Sequence, residues 1–256
     1  MVEWSNTWLL KFHPEKCVMM NIGTQTNVDR FRYKMGDHEL SYSDCEKDLG
    51  VFIDDKLKFD KHINTIVNKA NRVMGIAKKT FDHMDKTTFL NIYKGLVRPQ
   101  LEYASSVWSP HLIKHIELLE SVQKRATKQI PGLSILSYNE RLRDLKLPTL
   151  AYRRARGDMI QVFKLLSENG YDKSLPCSLK LSHNTHLRGN SKKIFMTTCN
   201  KDIRRYNFNH RIINTWNSLP EKVVMADDVR KFEAGLDAHW QDQPLLYDDF
   251  KSQIII

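Results

Sequence analysis

Along residues 1–57 the apolar positions come in short runs broken by glycine and polar turns, and from residue 59 onward they recur every three or four residues. The first pattern predicts strands and the second helices, because side chains repeat with period two on a strand and 3.6 on a helix. Residues 15–22, EKCVMMNI, form an apolar run that ends at Gly23. RFRYKMGDHEL predicts a hairpin around Met35-Gly36-Asp37, with glycine supplying a positive φ. Leu49 to Ile53 reads as a strand with a glycine inside it, ending at Asp54-Asp55. A sheet this small does not stand alone.

Ile63, Ile66, Val67, Ala70, Val73, Met74 and Ala77 share one side of a helix over residues 60–80, with Asp60 as N-cap. At ~100° per residue, Lys61, Arg72 and Lys79 fall within roughly 20° of one another on the opposite side. A second helix over 86–98 stops or kinks at Arg98-Pro99, because proline lacks a donor and pushes its predecessor out of the α region. Ser109-Pro110 reads as an N-cap with proline at the first helical position. That helix runs through Leu112, Ile116, Leu119, Val122 and Ala126 and stops at Pro131-Gly132. Its end collects Lys124, Arg125 and Lys128, where cations also meet the negative end of the helix dipole. Ser137 to Glu140 has capping-box spacing for a short helix through Leu145. A longer helix from about 150 to 167 carries Arg153, Arg154 and Arg156 and ends near Asn169-Gly170. Residues 171–200 have no period; an apolar face returns with Phe208, Ile212, Ile213 and Trp216, and a last amphipathic helix is expected near 226–240. The fold class is therefore α+β, predominantly α-helical.

A chain of 256 residues can bury one large core or two small ones, and 41% hydrophobic with 27% charged residues is a globular composition. No apolar run approaches the ~18 residues of a membrane span. The opening MVEWSNTWLLKF does not read as an export signal. Cys17, Cys45, Cys177 and Cys199 form no CxxC pair, so free thiols in an intracellular, reducing compartment are expected, nucleus or cytoplasm.

Charge changes the picture more. Lys and Arg number 40 against 30 Asp and Glu, a net +10. Residues 1–57 hold 7 basic and 10 acidic side chains, 58–215 hold 29 and 12, and 216–256 hold 4 and 8. A middle block this positive suits a polyanion, and it equally suits a solvated surface kept apart by repulsion.

Paired Asp54-Asp55 at a strand end invites a two-metal reading, but the first 53 residues add only loop acids such as Asp29, Asp37, Asp44 and Asp48. A turn that caps the next helix is the expectation there. Cys177, His183, His186 and Cys199 match no compact zinc spacing, and neither G-x-G-x-x-G nor G-x-x-x-x-G-K-[ST] occurs. What remains is a basic surface interleaved with aromatics: Tyr152 beside Arg153 and Arg154, Phe195 after Lys192 and Lys193, and Arg204, Arg205, Tyr206, Phe208 and Arg211. Cations neutralise phosphates and exposed rings stack on unpaired bases. Tyr206 and Phe208 also read as core, since Trp216 lies at helical reach of their face.

Several strings, in order, resemble the C-terminal part of a jockey-like non-LTR (LINE) retrotransposon reverse transcriptase. They are WLLKFHPEKCVMM, KMGDHEL, KDLGVFIDDKLKFDKHI, KANRVMGIAKKTF, YKGLVRPQLEYASSVWSP, LESVQKRATK, SYNERLRDLKLPTL, YRRARGDMIQVFK and WNSLP. His13 stands where that family's W-L-x-F-N-P-x-K-C segment has asparagine. The resemblance implies a palm-tail β remnant over 1–57, a thumb-like helical region over 58–131, and a C-terminal helical region over 132–256 with a loop-rich stretch at 171–200. It also implies that the aromatic-x-Asp-Asp hairpin would lie before Met1, so no catalytic residue carries over and no cofactor is expected, Mg²⁺ belonging only to an intact polymerase. The expected function is a non-catalytic remnant that holds RNA or an RNA/DNA hybrid through Lys61, Arg72, Lys79, Lys124, Arg125, Lys128, Arg153, Arg154, Arg156, Arg204 and Arg205. The rival expectation is a protein-interaction or inert product of a degraded element, with exposed palm-facing surface as its contact.

Overall fold

The computed structural model describes residues 2–23, 31–81, 84–167, 179–182, 189–252 and 254. They divide into two compact units, residues 1–62 and 63–256. The first holds a helix α1 (Val2–Thr7), a 3₁₀ turn (Pro14–Lys16) and short strands β1 (Val18–Met19), β2 (Lys34–Met35), β3 (His38–Glu39), β4 (Ser41–Tyr42), β5 (Cys45–Asp48) and β6 (Val51–Asp54). The strands pair in twos, β1 with β4 parallel, and β2 with β3 and β5 with β6 antiparallel. The hairpin at Met35-Gly36-Asp37 forms as its sequence predicts, with Gly36 at φ +63°.

Leu49 corrects the third strand. Leu49 and Gly50, at φ +42° and +90°, are the two-residue turn joining β5 to β6. Positive φ at both central positions is the mirror-image type I′ geometry, whose twist matches that of paired strands. The strand therefore starts at Val51, and its partner CEKD, short of apolar residues, gave no signal of its own. Beyond β6, the Asp54 carboxylate accepts from the backbone N–H groups of Lys56 and Lys58, both at 3.1 Å, and of Phe59 at 2.6 Å. The side chain thus holds the turn that leads into α2 (Asp60–Thr80).

The boundary between the units falls in the first turn of α2. Within the second unit, Ile63, Ile66, Val67, Ala70, Met74 and Ala77 on this helix are buried, as their spacing predicts. A helix from Lys86 follows, and it does not stop at proline: α3 (Lys86–Ile92) continues through a π-helical turn (Tyr93–Val97) into α4 (Arg98–Glu102). The wider turn ends just before Pro99, whose missing N–H and ring would otherwise break the α ladder there. Next come α5 (Ser105–Trp108) and α6 (Ile113–Thr127). Ser109 is not the N-cap of α6; its N–H bonds to the Ser105 carbonyl at 2.9 Å and closes α5, while Leu112 stands at the head of α6.

The capping box forms on α7 (Tyr138–Leu145), with Ser137 and Glu140 each bonded to the other's backbone. Thr149 caps α8 (Leu150–Leu166). The remaining helices are α9 (Asp202–Arg205), α10 (Phe208–Asn217), α11 (Glu221–Val224), α12 (Val229–His239) and α13 (Pro244–Tyr247). The expected helix end at Asn169-Gly170 lies outside the described residues. A bridge between Leu181 and Ile194 is the extended structure described in the 171–200 stretch.

Helix α8 is the centre of this unit, with α5, α6, α10, α12 and α13 packed on it. Met159, Val162 and Phe163 of α8 join Ile212, Ile213 and Trp216 of α10 and Phe232 and Leu236 of α12 in one core. Phe163 and Phe232 stack with centroids 4.4 Å apart. The molecule is thus a predominantly helical α+β protein with few, short strands.

Candidate nucleic-acid interface

The cations named from sequence divide into two groups once their surroundings are known. On α2, residues 63–80 carry Lys69, Arg72, Lys78 and Lys79 and no acid, and all four are exposed. The apolar stripe that buries Ile63 through Ala77 leaves the opposite side of the helix to Arg72 and Lys79, with Lys69 on one flank and Lys78 on the other, beside the stripe. Lys69 and Lys78 were missed by the sequence reading; counting acids along the helix would have found them. Lys61 belongs to the first unit, where its Nζ lies 4.6 Å from the centre of the Phe52 ring. Lys128 and Arg125 are exposed at the end of α6, Arg125 folding back onto Ser121. Lys124 instead sits over two rings, 5.2 Å from Tyr138 and 4.3 Å from Phe250. On α9, Arg204 is exposed, and Arg205 is exposed with Asp202 3.7 Å away.

Of the three arginines of α8, Arg154 is buried and Arg153 and Arg156 are half-buried. Arg153 forms a bidentate pair with Glu102 of α4, its Nη2–Oε2 bond 2.9 Å. Arg156 forms another with Asp237 of α12, at 2.6 and 2.9 Å, with Glu233 at 3.5 Å. Arg154 is 4% exposed and cannot meet a ligand lying on the outer surface. Of this trio, expected to grip phosphates, two are tied to acids on neighbouring helices and the third is interior. Arg211 likewise bonds Asp158 at 2.8 and 3.0 Å and the Ser106 carbonyl at 2.8 Å.

A buried polar layer accompanies them. Glu120 accepts from the Tyr138 hydroxyl and from the Leu150 N–H at 3.1 Å. Gln123 accepts from the Tyr93 hydroxyl at 2.6 Å and donates to the Pro148 carbonyl at 3.1 Å. Burial pushes the Glu120 carboxyl above its ordinary range, against the Tyr138 bond, the Arg154 charge and the Leu150 N–H that pull it back. Burial also raises Tyr93 and Tyr138 and lowers Arg154.

Of the interleaved aromatics, Tyr152 is buried and edge-on to Trp240 at 5.9 Å. Phe195 is 55% exposed. Phe208 packs against the core, but Tyr206 is 39% exposed and stacks in parallel on His111, centroids 4.2 Å apart. Among the described residues no group of three or more His, Cys, Asp or Glu is placed to hold a metal ion. Cys177, His183 and His186 lie outside those residues, and Cys17, Cys45 and Cys199 are free thiols. No described helix is long and apolar enough to cross a membrane.

The chain is 23% identical over 163 residues to the RNA-directed DNA polymerase from mobile element jockey of Drosophila melanogaster, an alignment covering 62% of this chain and 17% of that one. It is 29% identical over 156 residues to the probable RNA-directed DNA polymerase from transposon X-element of the same fly, covering 58% and 17%. An uncharacterized Caenorhabditis elegans protein is 30% identical over 110 residues, 42% of this chain and 56% of the relative. The chain thus spans about half of one relative and a sixth of the two polymerases. No protein-family profile matches, and no solved structure does. These similarities support an origin related to the reverse transcriptases of non-LTR retrotransposons.

Proposed function

We propose that this reverse-transcriptase-derived protein corresponds to the palm tail, thumb and C-terminal region of its parent and binds RNA or an RNA/DNA hybrid without polymerising. The observation that carries this reading is α2, where Lys69, Arg72, Lys78 and Lys79 are exposed around the side its apolar stripe leaves open, with no acid between residues 63 and 80. Each of the four can neutralise a phosphate and release a counterion, and none is shaped to read a base edge. Lys128, Arg125 and Arg204 add exposed charge on other helices. Binding should be steep in salt and weakly selective for sequence.

Filter binding of a single-stranded RNA over a salt series tests it. Replacing Lys69, Arg72 and Lys79 by glutamine, all exposed, leaves the core intact. The slope of log affinity against log salt should fall by about 2, at ~0.7 per lost phosphate contact. An unchanged slope overturns the reading. Extension of a primed template by the purified protein with Mg²⁺ would overturn its non-catalytic part.

A specific feature favours a protein-interaction reading for the first unit. Trp4, Trp8, Leu9, Leu10 and Phe31 are each at least half exposed. Exposed apolar surface of this kind favours association. Light scattering separates the two, since a salt-insensitive oligomer that takes up no RNA supports the second.

A further inference from the structure

The α8 arginines border a cavity of about 210 Å³, lined by residues of α4, α5 and α8, among them Glu102, Ser105, Arg153, Arg154, Arg156 and Gly157. Three guanidinium groups thus meet one carboxylate around the cavity. That carboxylate is already answered twice, by the bidentate Arg153 and by Arg98 at 3.8 Å. Arg156 keeps its Asp237 and Glu233 partners.

Arg154 is the unanswered group. It is 4% exposed, and its Nη1 has no hydrogen-bond partner among the described residues. The acids whose charges reach it are engaged elsewhere: Glu120 with Tyr138 and Leu150, and Asp158 with Arg211 through two bonds. A buried guanidinium without direct acceptors is costly unless an anion or water meets it. Its planar fork suits two oxygens of one phosphate or carboxylate. The volume holds several waters at ~30 Å³ each, or one phosphoryl group. Exposed Gly157 among the lining residues brings the cavity to the surface, and a Cβ there would meet nothing within 4 Å.

We propose that this cavity, anchored by Arg154, is a binding site for a single phosphoryl group, either free phosphate or the terminal monoester of a nucleotide chain. The Ser105 hydroxyl and the N–H groups left over on Arg153 and Arg156 supply further donors. No residue of α2 lines the site, so it does not depend on the cations of that helix.

Thermal unfolding of the full chain in inorganic phosphate, against chloride at equal ionic strength, tests the proposal. Phosphate should raise Tm beyond chloride in a saturable way. The increment should disappear in Arg154→Met, which removes the anchoring guanidinium and keeps a long side chain in its place. It should also disappear in Gly157→Leu, which blocks the opening and favours the helix. A 5′-phosphorylated dinucleotide, compared with its 5′-hydroxyl form, tells the two sources apart: saturation at a tenfold lower concentration than inorganic phosphate assigns a chain terminus, and the reverse order assigns free phosphate. No increment in the wild type means that water alone fills the cavity and overturns the proposal. So does an increment that survives in either folded variant. If Arg154→Met does not fold, Gly157→Leu decides.

Discussion

Glu120 shows how one side chain in the interior couples stability to pH. Its carboxyl is fully buried and titrates above the ordinary glutamate value of 4.5, with burial as the largest cause. The folded state then keeps the proton to higher pH than the unfolded chain, so this group's contribution to stability falls as pH climbs from about 4.5 through the raised value. Glu120→Gln imitates the protonated acid. Urea unfolding at pH 5 and pH 8 should show the variant gaining on the wild type as pH rises, and a constant difference would mean that the carboxyl is not raised. The arginines teach a related lesson about legibility. Arg153, Arg156 and Arg211 look like a phosphate grip because their acids are distant in sequence: Glu102 by 51 residues, Asp237 by 81, and Asp158 by 53. No local pattern announces a partner that far away. Arg72 and Lys79 of α2 stayed legible because their exposure follows from the same period that buries Ile63 and Ala70.

Helices could be read closely wherever an amphipathic stripe and a cap agreed. The expected 60–80 became Asp60–Thr80, the S-Y-N-E box caps Tyr138–Leu145, and 150–167 became Leu150–Leu166. Reading was least decisive where backbone chemistry had two solutions. Pro99 can end a helix or follow a π turn, and Leu49-Gly50 can continue a strand or turn it; pairing and packing decide such cases. The start of α8 offers the clearest test at this scale. Thr149 accepts from the Tyr152 N–H at 3.1 Å, donates through its hydroxyl to the Leu245 carbonyl at 2.5 Å, and through its N–H to the Leu246 carbonyl at 3.0 Å. Thr149→Ala removes a cap and leaves a buried carbonyl without that donor, and should cost about 2 kcal/mol in urea unfolding. Thr149→Ser should recover most of it. Equal losses in both would point to the methyl group instead.

Across the second unit, the acidic 216–256 segment answers part of the basic middle. Asp237 and Glu233 meet Arg156, and Asp248 meets Arg143. Some of the net charge that suggested a polyanion partner is therefore spent inside the fold. Converting Asp237 and Asp248 to Asn and Glu233 to Gln should lower Tm by a few degrees and raise RNA affinity at low salt, because Arg156 and Arg143 are released. Melting curves and filter binding on the triple variant check both halves, and weaker RNA binding would contradict this charge accounting. The same long-range closure governs how the chain must fold as it is made. The cap on α8 is completed by a carbonyl 96 residues further on. A ribosome adding ~5–20 residues per second takes roughly 5–20 s to deliver that carbonyl. Until α10 and α12 emerge later in that interval, the apolar faces of α8 wait unpaired, so translation of this protein exposes a hydrophobic surface that chaperones bind, and slowing it lengthens the exposure.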